Sequence, residues 1–271
     1  MKGKSPQRHR VHGVFAAFSV LSVAQWLRTR LAACLVLVAC LLTTLLPSSV
    51  YAEELPPSAF IEGVVGRPQE HNLSCESRSA IDVAAFWGVT LTEDDFFRRL
   101  PKSDNPHRGF LGDVDMPAGT MPPYGYGVYA GPVAANLRSF GLDAESHQYW
   151  TLQDLQAEVA AGRPVIVWAT YGMQLPGVRE WISSDGETCP IVQWQHTFVA
   201  VGYDAEGVYL IDAYDAGTKS FSYKAFDAAW AQLERLAVTV HGPLGHPDGR
   251  TWQMSEDSSF IVDGRWETGM E

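Results

Sequence analysis

Cysteine is scarce in this chain, with four in 271 residues. Two of them, Cys34 and Cys40, fall in an apolar N-terminal stretch, leaving Cys75 and Cys189 for the remainder. That leaves room for one disulfide at most, Cys75 to Cys189, and no Cys or His cluster of the kind a zinc site needs. His71, Cys75 and His196 are a weak metal fragment, and neither metal nor cofactor is expected. A phosphate-cradling P-loop, the glycine fingerprint of dinucleotide sites and a Gly-x-Ser-x-Gly elbow are all absent. Basic residues are also few after position 52. Six of the 20 Lys and Arg lie before it, leaving 14 against 31 Asp and Glu, a formal charge of −17. Such a surface repels nucleic acid and anionic membranes, so neither is expected as a partner.

The first 52 residues lack acid altogether. Lys2, Lys4, Arg8, Arg10, Arg28 and Arg30 precede an apolar run from Leu31 to Leu46, and Val50-Tyr51-Ala52 follows. Basic region, hydrophobic region and small-residue site, in that order, read as a secretory signal peptide over 1–52. The run is short of the roughly 20 apolar residues of a membrane span. A retained anchor is the alternative, and only then would the membrane be a partner. The chain divides into this segment, a domain over 53–240 and a C-terminal tail over 241–271 with one apolar patch, Phe260-Ile261-Val262. A secreted or surface-held protein is expected, its oligomeric state open.

Patterning predicts an extended entry over 53–68 and a helix over Cys75–Trp87, with Ser74 as cap and Ala80, Ile81, Ala84 and Trp87 as its apolar stripe. A short helix follows Thr92. Residues 102–127, rich in Gly, Pro and Asp, read as a long loop. Helices are expected over 132–140, 151–161 and 226–234. Strands are expected over 164–171, 196–203, 208–213, 219–223 and 236–240. Helices come first and strands later, which favours an α+β fold.

Chemistry gathers around Cys75. It opens a helix, where unpaired N–H groups favour a thiolate. Gln69 stands six residues before it, and a side-chain amide beside the thiol, with the backbone N–H of Cys75, would make an oxyanion hole. His196 opens an apolar strand whose hairpin leads to Asp212, and an acid can orient a histidine that activates a thiol. Asp215 competes with Asp212. A four-residue loop at 204–207 pairs position 196 with 215, and only a bulge or strong twist brings Asp212 closer. The polar residues Ser74, Glu76, Ser77 and Arg78 place the thiol near solvent. Glu76 opposes thiolate formation, but as one exposed, screened charge it should weigh less than an imidazolium.

Taken together these segments resemble a family. HTFVAVGYDAEGVYLID resembles the histidine hairpin of papain-type thiol peptidases. NLSCESRSAIDVAAFWGV, NPHRGFLGDVDMPAG, PPYGYGVYAGPVAANLRSFGL, GRPVIVW and QHTFVAVGYD resemble the bacterial peptidase family C-39-like domains over about residues 60–240. The resemblance implies a papain-like cysteine peptidase fold, with an N-terminal helical part and a nucleophile helix packed on an antiparallel sheet. It implies a Cys75, His196 and Asp212 triad, Gln69 at the oxyanion, and a peptide or protein substrate. Relatives carry Cys-Gly-Pro at the nucleophile, where this chain has Cys75-Glu76-Ser77. Two other readings remain: a thiol acyl-transfer enzyme such as a cell-wall amidase or transpeptidase, and a non-catalytic binding module with a Cys75–Cys189 disulfide.

Overall fold

The structure, a computed structural model, describes residues 54–244, positions 28, 30 and 31, and the backbone of 252–254, 260–262 and 265–267. Beyond those three positions, the signal segment read at 1–52 lies outside the described residues. Among the described residues no helix is long and apolar enough to cross a membrane. By its own contacts the chain divides into two units, Met1–Glu54 and Leu55–Glu271.

The second unit is built on a seven-stranded antiparallel sheet. Its strands are β1 (Ala59–Phe60), β4 (Leu142–His147), β5 (Val165–Thr170), β8 (Gln195–Tyr203), β9 (Gly207–Asp212), β10 (Thr218–Ser222) and β11 (Ala237–Pro243). They lie in the order β10-β9-β8-β5-β11-β4, with β1 also paired to β8. The strand β5 is buried along its whole length, and β8 is buried from His196 to Tyr203, so neither alternates in polarity. Two short pairs stand apart: β2 (Leu111–Gly112) with β3 (Gly125–Gly127), and β6 (Val178–Ile182) with β7 (Thr188–Val192). The segment read as one loop over 102–127 therefore contains β2 and β3. The strands β4, β6 and β7 went unread: at least half of β4 and nearly all of β6 are accessible, and β7, though mostly buried, is interrupted by Pro190. In the C-terminal segment, β12 (Trp252–Met254), β13 (Phe260–Val262) and β14 (Arg265–Glu267) form a three-stranded sheet, with β13 on the apolar patch.

Five helices flank the large sheet: α1 (Cys75–Phe86), α2 (Glu93–Arg99), α3 (Ala130–Ser139), α4 (Leu152–Ala160) and α5 (Tyr223–Gln232). Thr92 and Thr151 each close a capping box, with Asp95 and Asp154 at the third helical position. Each box satisfies two backbone donors that would otherwise be open. The helix α1 departs from the amphipathic stripe. Every residue from Cys75 to Ala84 is buried, including Glu76, Arg78 and Asp82. It packs on β8, where the Ser79 and Thr197 hydroxyls meet at 3.0 Å. A helix enclosed on all sides must satisfy its polar groups internally, and these partners shape the site.

Candidate active site

The segment before α1 is pinned by carboxylates from two helices. Asp82 on α1 accepts from the Arg67 N–H at 3.2 Å, and Glu93 on α2 accepts from the Glu70 N–H at 3.1 Å and the Ser74 hydroxyl at 2.5 Å. Arg78 neutralises both, at 2.8 Å from Asp82 and 3.5 Å from Glu93. Burial still pushes Asp82 up to about 6, although Arg78 pulls it the other way. Gln69 is thus held between two anchors, at 67 and 70. Ser74 stands at the N-cap position but makes no side-chain cap, because its hydroxyl is taken by Glu93. The first-turn N–H groups of α1, which no helix can satisfy internally, are left uncapped by it.

Cys75 and His196 line one cleft of ≈ 230 Å³, together with Gln69, Tyr171, Trp194 and Tyr214. From the segment 102–127, Ala118, Gly119 and Tyr126 also reach it. Trp194 adopts a left-handed backbone, φ 64°, and its ring lies over Gly119, where a Cβ would come within 2.7 Å. Strained backbone of this kind concentrates at binding clefts. The aromatic wall was not read from the sequence; Trp194, two residues before His196, was its available signal.

His196 Nε2 and Asp212 Oδ1 lie 2.6 Å apart, with both side chains nearly inaccessible. The register explains how. Pairing starts at Tyr203↔Val208 and Gly202↔Tyr209, then shifts by one, so that Ala200 faces Leu210 and Phe198 faces Asp212. Val201 is the extra residue of a β-bulge. It moves Asp212 onto the face that carries His196 and Phe198. Asp215, half-exposed, meets Lys219 at 2.9 Å instead. Lys219 also donates to Asp212 Oδ2 at 2.5 Å, and the Tyr214 N–H donates to Oδ1 at 2.8 Å. Burial pushes the Asp212 carboxyl up, but the His196 hydrogen bond and these donors outweigh it and bring it down to about 2. Lys219 was not read as a site residue; it sits on β10 opposite Leu210 of β9.

Two expectations need correction. The thiol is not near solvent: Cys75 is 4 % exposed. Glu76 is not an exposed, screened charge but a buried one, 1 % exposed, within 3.3 Å of the sulfur. Burial first, and then the Glu76 charge, raise the Cys75 thiol well above its ordinary range, while Thr197 pulls it down. Gln69 lines the cleft, but its Nε2 donates to the His71 and Asn72 carbonyls at 2.7 and 2.9 Å, and its buried Oε1 has no partner. Cys189 lies on β7, opposite Trp181, and both it and Cys75 are free thiols. His71 pairs with Asp115 at 2.8 Å. Among the described residues no group of three or more His, Cys, Asp or Glu side chains is placed to hold a metal.

A helix-opening thiol and a histidine–carboxylate pair, meeting in a cleft between helices and an antiparallel sheet, define a thiol-hydrolase type of site. The model of the Peptidase_C39 like family matches residues 61–238, and the chain belongs to that family. The uncharacterised protein YvpB of Bacillus subtilis is 24 % identical over 196 residues, which are 68 % of this chain and 75 % of YvpB. A crystal structure from Bacillus anthracis, described as a C39-like peptidase, superposes with a TM-score of 0.61 at 23 % identity. The match covers 68 % of this chain and 98 % of that one. Xylellain, a cysteine protease from Xylella fastidiosa, matches at 13 % identity and a TM-score of 0.37, over 69 % of this chain and 87 % of its own. The fold is that of the C39-like structure from Bacillus anthracis, α+β with α1, the helix that Cys75 opens, on an antiparallel sheet.

Proposed function

We propose that this protein is an exported cysteine peptidase working through Cys75, His196 and Asp212. The observation that carries the reading is the 2.6 Å His196–Asp212 pair in the wall of the cleft that Cys75 lines. With Nε2 committed to Asp212, Nδ1 is the ring nitrogen left to take the thiol proton. The thiolate adds to the peptide carbonyl. The oxyanion is met by the Cys75 N–H at the helix start and by Gln69. His196 returns its proton to the leaving amine as the C–N bond breaks. Water, deprotonated by the same imidazole, then hydrolyses the thioester and restores the thiol. Asp212 stays ionised throughout and supports the imidazolium.

The test is labelling by an activity-based thiol probe, followed by cleavage of a peptide library. Label on Cys75 and peptidase activity abolished in Cys75→Ala are expected. Folded protein that neither labels nor cleaves would refute the reading. A muropeptide panel run beside the library separates a peptidase from a cell-wall amidase or transpeptidase using the same groups.

Gln69 serves the oxyanion by releasing one N–H, most simply that given to the Asn72 carbonyl, the longer and more exposed of its two bonds. Gln69→Ala is expected to lower kcat by about 10²-fold, the size of effect when one oxyanion donor is lost. Unchanged kcat would leave Gln69 a loop residue that braces the approach to α1.

Export is inferred from the N-terminal segment and the acidic remainder. N-terminal sequencing of exported material should begin near Glu53. Recovery of Met1 or of the apolar run would identify an anchor instead.

A further inference from the structure

Beside the nucleophile lies a carboxyl group that the chemistry above does not use. Glu76 Oε1 accepts from the Val128 N–H at 3.0 Å and from Gln195 Nε2 at 2.5 Å. Its Oε2 accepts from Cys75 Sγ at 3.3 Å. The space is shaped for this group: Gly127 has φ +130°, and a Cβ there would collide with Glu76 Oε1 and the Gln195 amide. Burying a carboxyl is costly unless its lone pairs are met, and here α1, β8 and the turn after β3 all contribute. Among the described residues no hydrogen bond runs from the Cys75 sulfur to His196.

Both firm N–H donors go to Oε1, so Oε2 is left with the sulfur. A carboxylate oxygen there makes the sulfur a donor, and the proton lies on Cys75. We propose that Glu76 holds Cys75 as a resting thiol in the free protein, and that the thiolate forms only when the S–H leaves Oε2 and turns to His196. The proposal rests on the Cys75–His196 reading above. In the step, the S–H···Oε2 hydrogen bond breaks, the side chain turns about χ1, and the proton passes to His196 Nδ1. A thiolate–imidazolium pair results, with no change of oxidation state and with Glu76 ionised before and after. Occupation of the cleft would shift this balance by favouring the rotamer that faces the substrate carbonyl.

The titratable groups that interact with the carboxyl are Cys75 on α1 and Tyr126 on β3. Tyr126 is bonded to the Tyr129 hydroxyl and the Val192 N–H, both at 2.8 Å, and burial pushes its ionisation upward, so it stays neutral. Burial also pushes Glu76 up, against the pull of Val128 and Gln195. Burial and the Glu76 charge push the Cys75 thiol up much further, and that direction keeps the proton on the sulfur.

The experiment follows iodoacetamide alkylation of Cys75 against pH, resolved from Cys189 by peptide mapping, in wild type, Glu76→Gln and His196→Ala. In Glu76→Gln the amide oxygen can keep Val128 and Gln195, which turns the new N–H₂ toward the sulfur and replaces an acceptor by a donor. The inflection should fall by about one pH unit or more, roughly tenfold faster labelling at neutral pH. An unmoved inflection in Glu76→Gln overturns the proposal, and a His196→Ala effect on labelling would still leave the peptidase reading standing. Conversely, a shift in Glu76→Gln with no effect of His196→Ala would sink the Cys–His pair and keep the thiol–carboxyl bond. Infrared difference spectra of wild type against Cys75→Ser make the test independent of the variant's folding. A red-shifted S–H band assigned to Cys75 at neutral pH supports the lock. A free S–H frequency, or no S–H band, overturns it.

Discussion

Asp212→Asn will lower kcat by about 10³–10⁴-fold with little change in substrate binding, in the range seen when the orienting acid of a triad becomes an amide. The surroundings of Asp212 allow the new amide two placements, and neither is good. With its oxygen toward His196 Nε2 and the Tyr214 N–H, its N–H₂ faces the Lys219 ammonium. With its oxygen toward Lys219, its N–H₂ faces the Tyr214 N–H and offers His196 a donor, which selects the wrong tautomer. The first placement loses the charge that supports the imidazolium, and the second also removes the base. Asp215→Asn is the control, since that carboxylate reaches only Lys219 and the Gly217 N–H. It should change kcat by less than about threefold, the scale of an exposed ion pair. Single-turnover kinetics on both variants measure the difference, and comparable losses from the two would remove Asp212 from its assigned position.

The second large effect lies under the site. Arg78→Met removes the cation between Asp82 and Glu93, both buried. Breaking one side of a buried ion cluster costs about 3–5 kcal/mol, because the remaining charges are left uncompensated. The cost should depend on pH in a defined direction. In the native protein Asp82 already sits near 6, above its unfolded value, so the folded state binds more protons and stability rises as pH falls from about 6 towards 4. Without Arg78 both carboxyls move higher, and the window extends upward. Urea unfolding should therefore show a larger difference between variant and wild type at pH 7.5 than at pH 5. A difference below about 1 kcal/mol, or one independent of pH, would mean that the cluster is not energetically coupled. The same substitution should raise KM or lower kcat beyond what stability explains, since Asp82 and Glu93 hold the backbone on either side of Gln69.

Local chemistry was legible in the sequence, and long-range packing was not. The α1 start at Cys75, the β8–β9 hairpin and the helix–strand order could all be read, because caps, turns and apolar runs are local signals. The choice between Asp212 and Asp215 could not be read from register. The strand β8 is buried from His196 to Tyr203, so no alternation marks which residues share a face, and a bulge inside it leaves no compositional trace. The resemblance favoured Asp212, and the backbone supplies the reason. Glu76 misled for a different cause. A charged residue in the first turn of a helix ordinarily faces water, and its partners, Val128 and Gln195, lie 52 and 119 residues away. Nothing near it in the chain announces them. The β4 strand was missed because Leu142–His147 carries Asp, Glu, Ser and His at the sheet edge, a pattern that also suits a loop.

The single extra residue at Val201 has a genetic corollary. In-frame loss of that one codon would leave the cysteine, the histidine, the aspartate and the glutamine all in the gene. The hairpin would close without its bulge, and because every pair on the His196 side of Val201 is kept, Phe198 would still face Asp212 and the carboxylate would stay on the imidazole's side of the sheet. The interval from His196 to the aspartate would fall from 16 residues to 15 while the two residues kept their register. With the same turn, an interval of 15 without the bulge and one of 16 with it therefore place the two residues on the same face, so among variants of this domain the length of the hairpin and its bulge have to be read together.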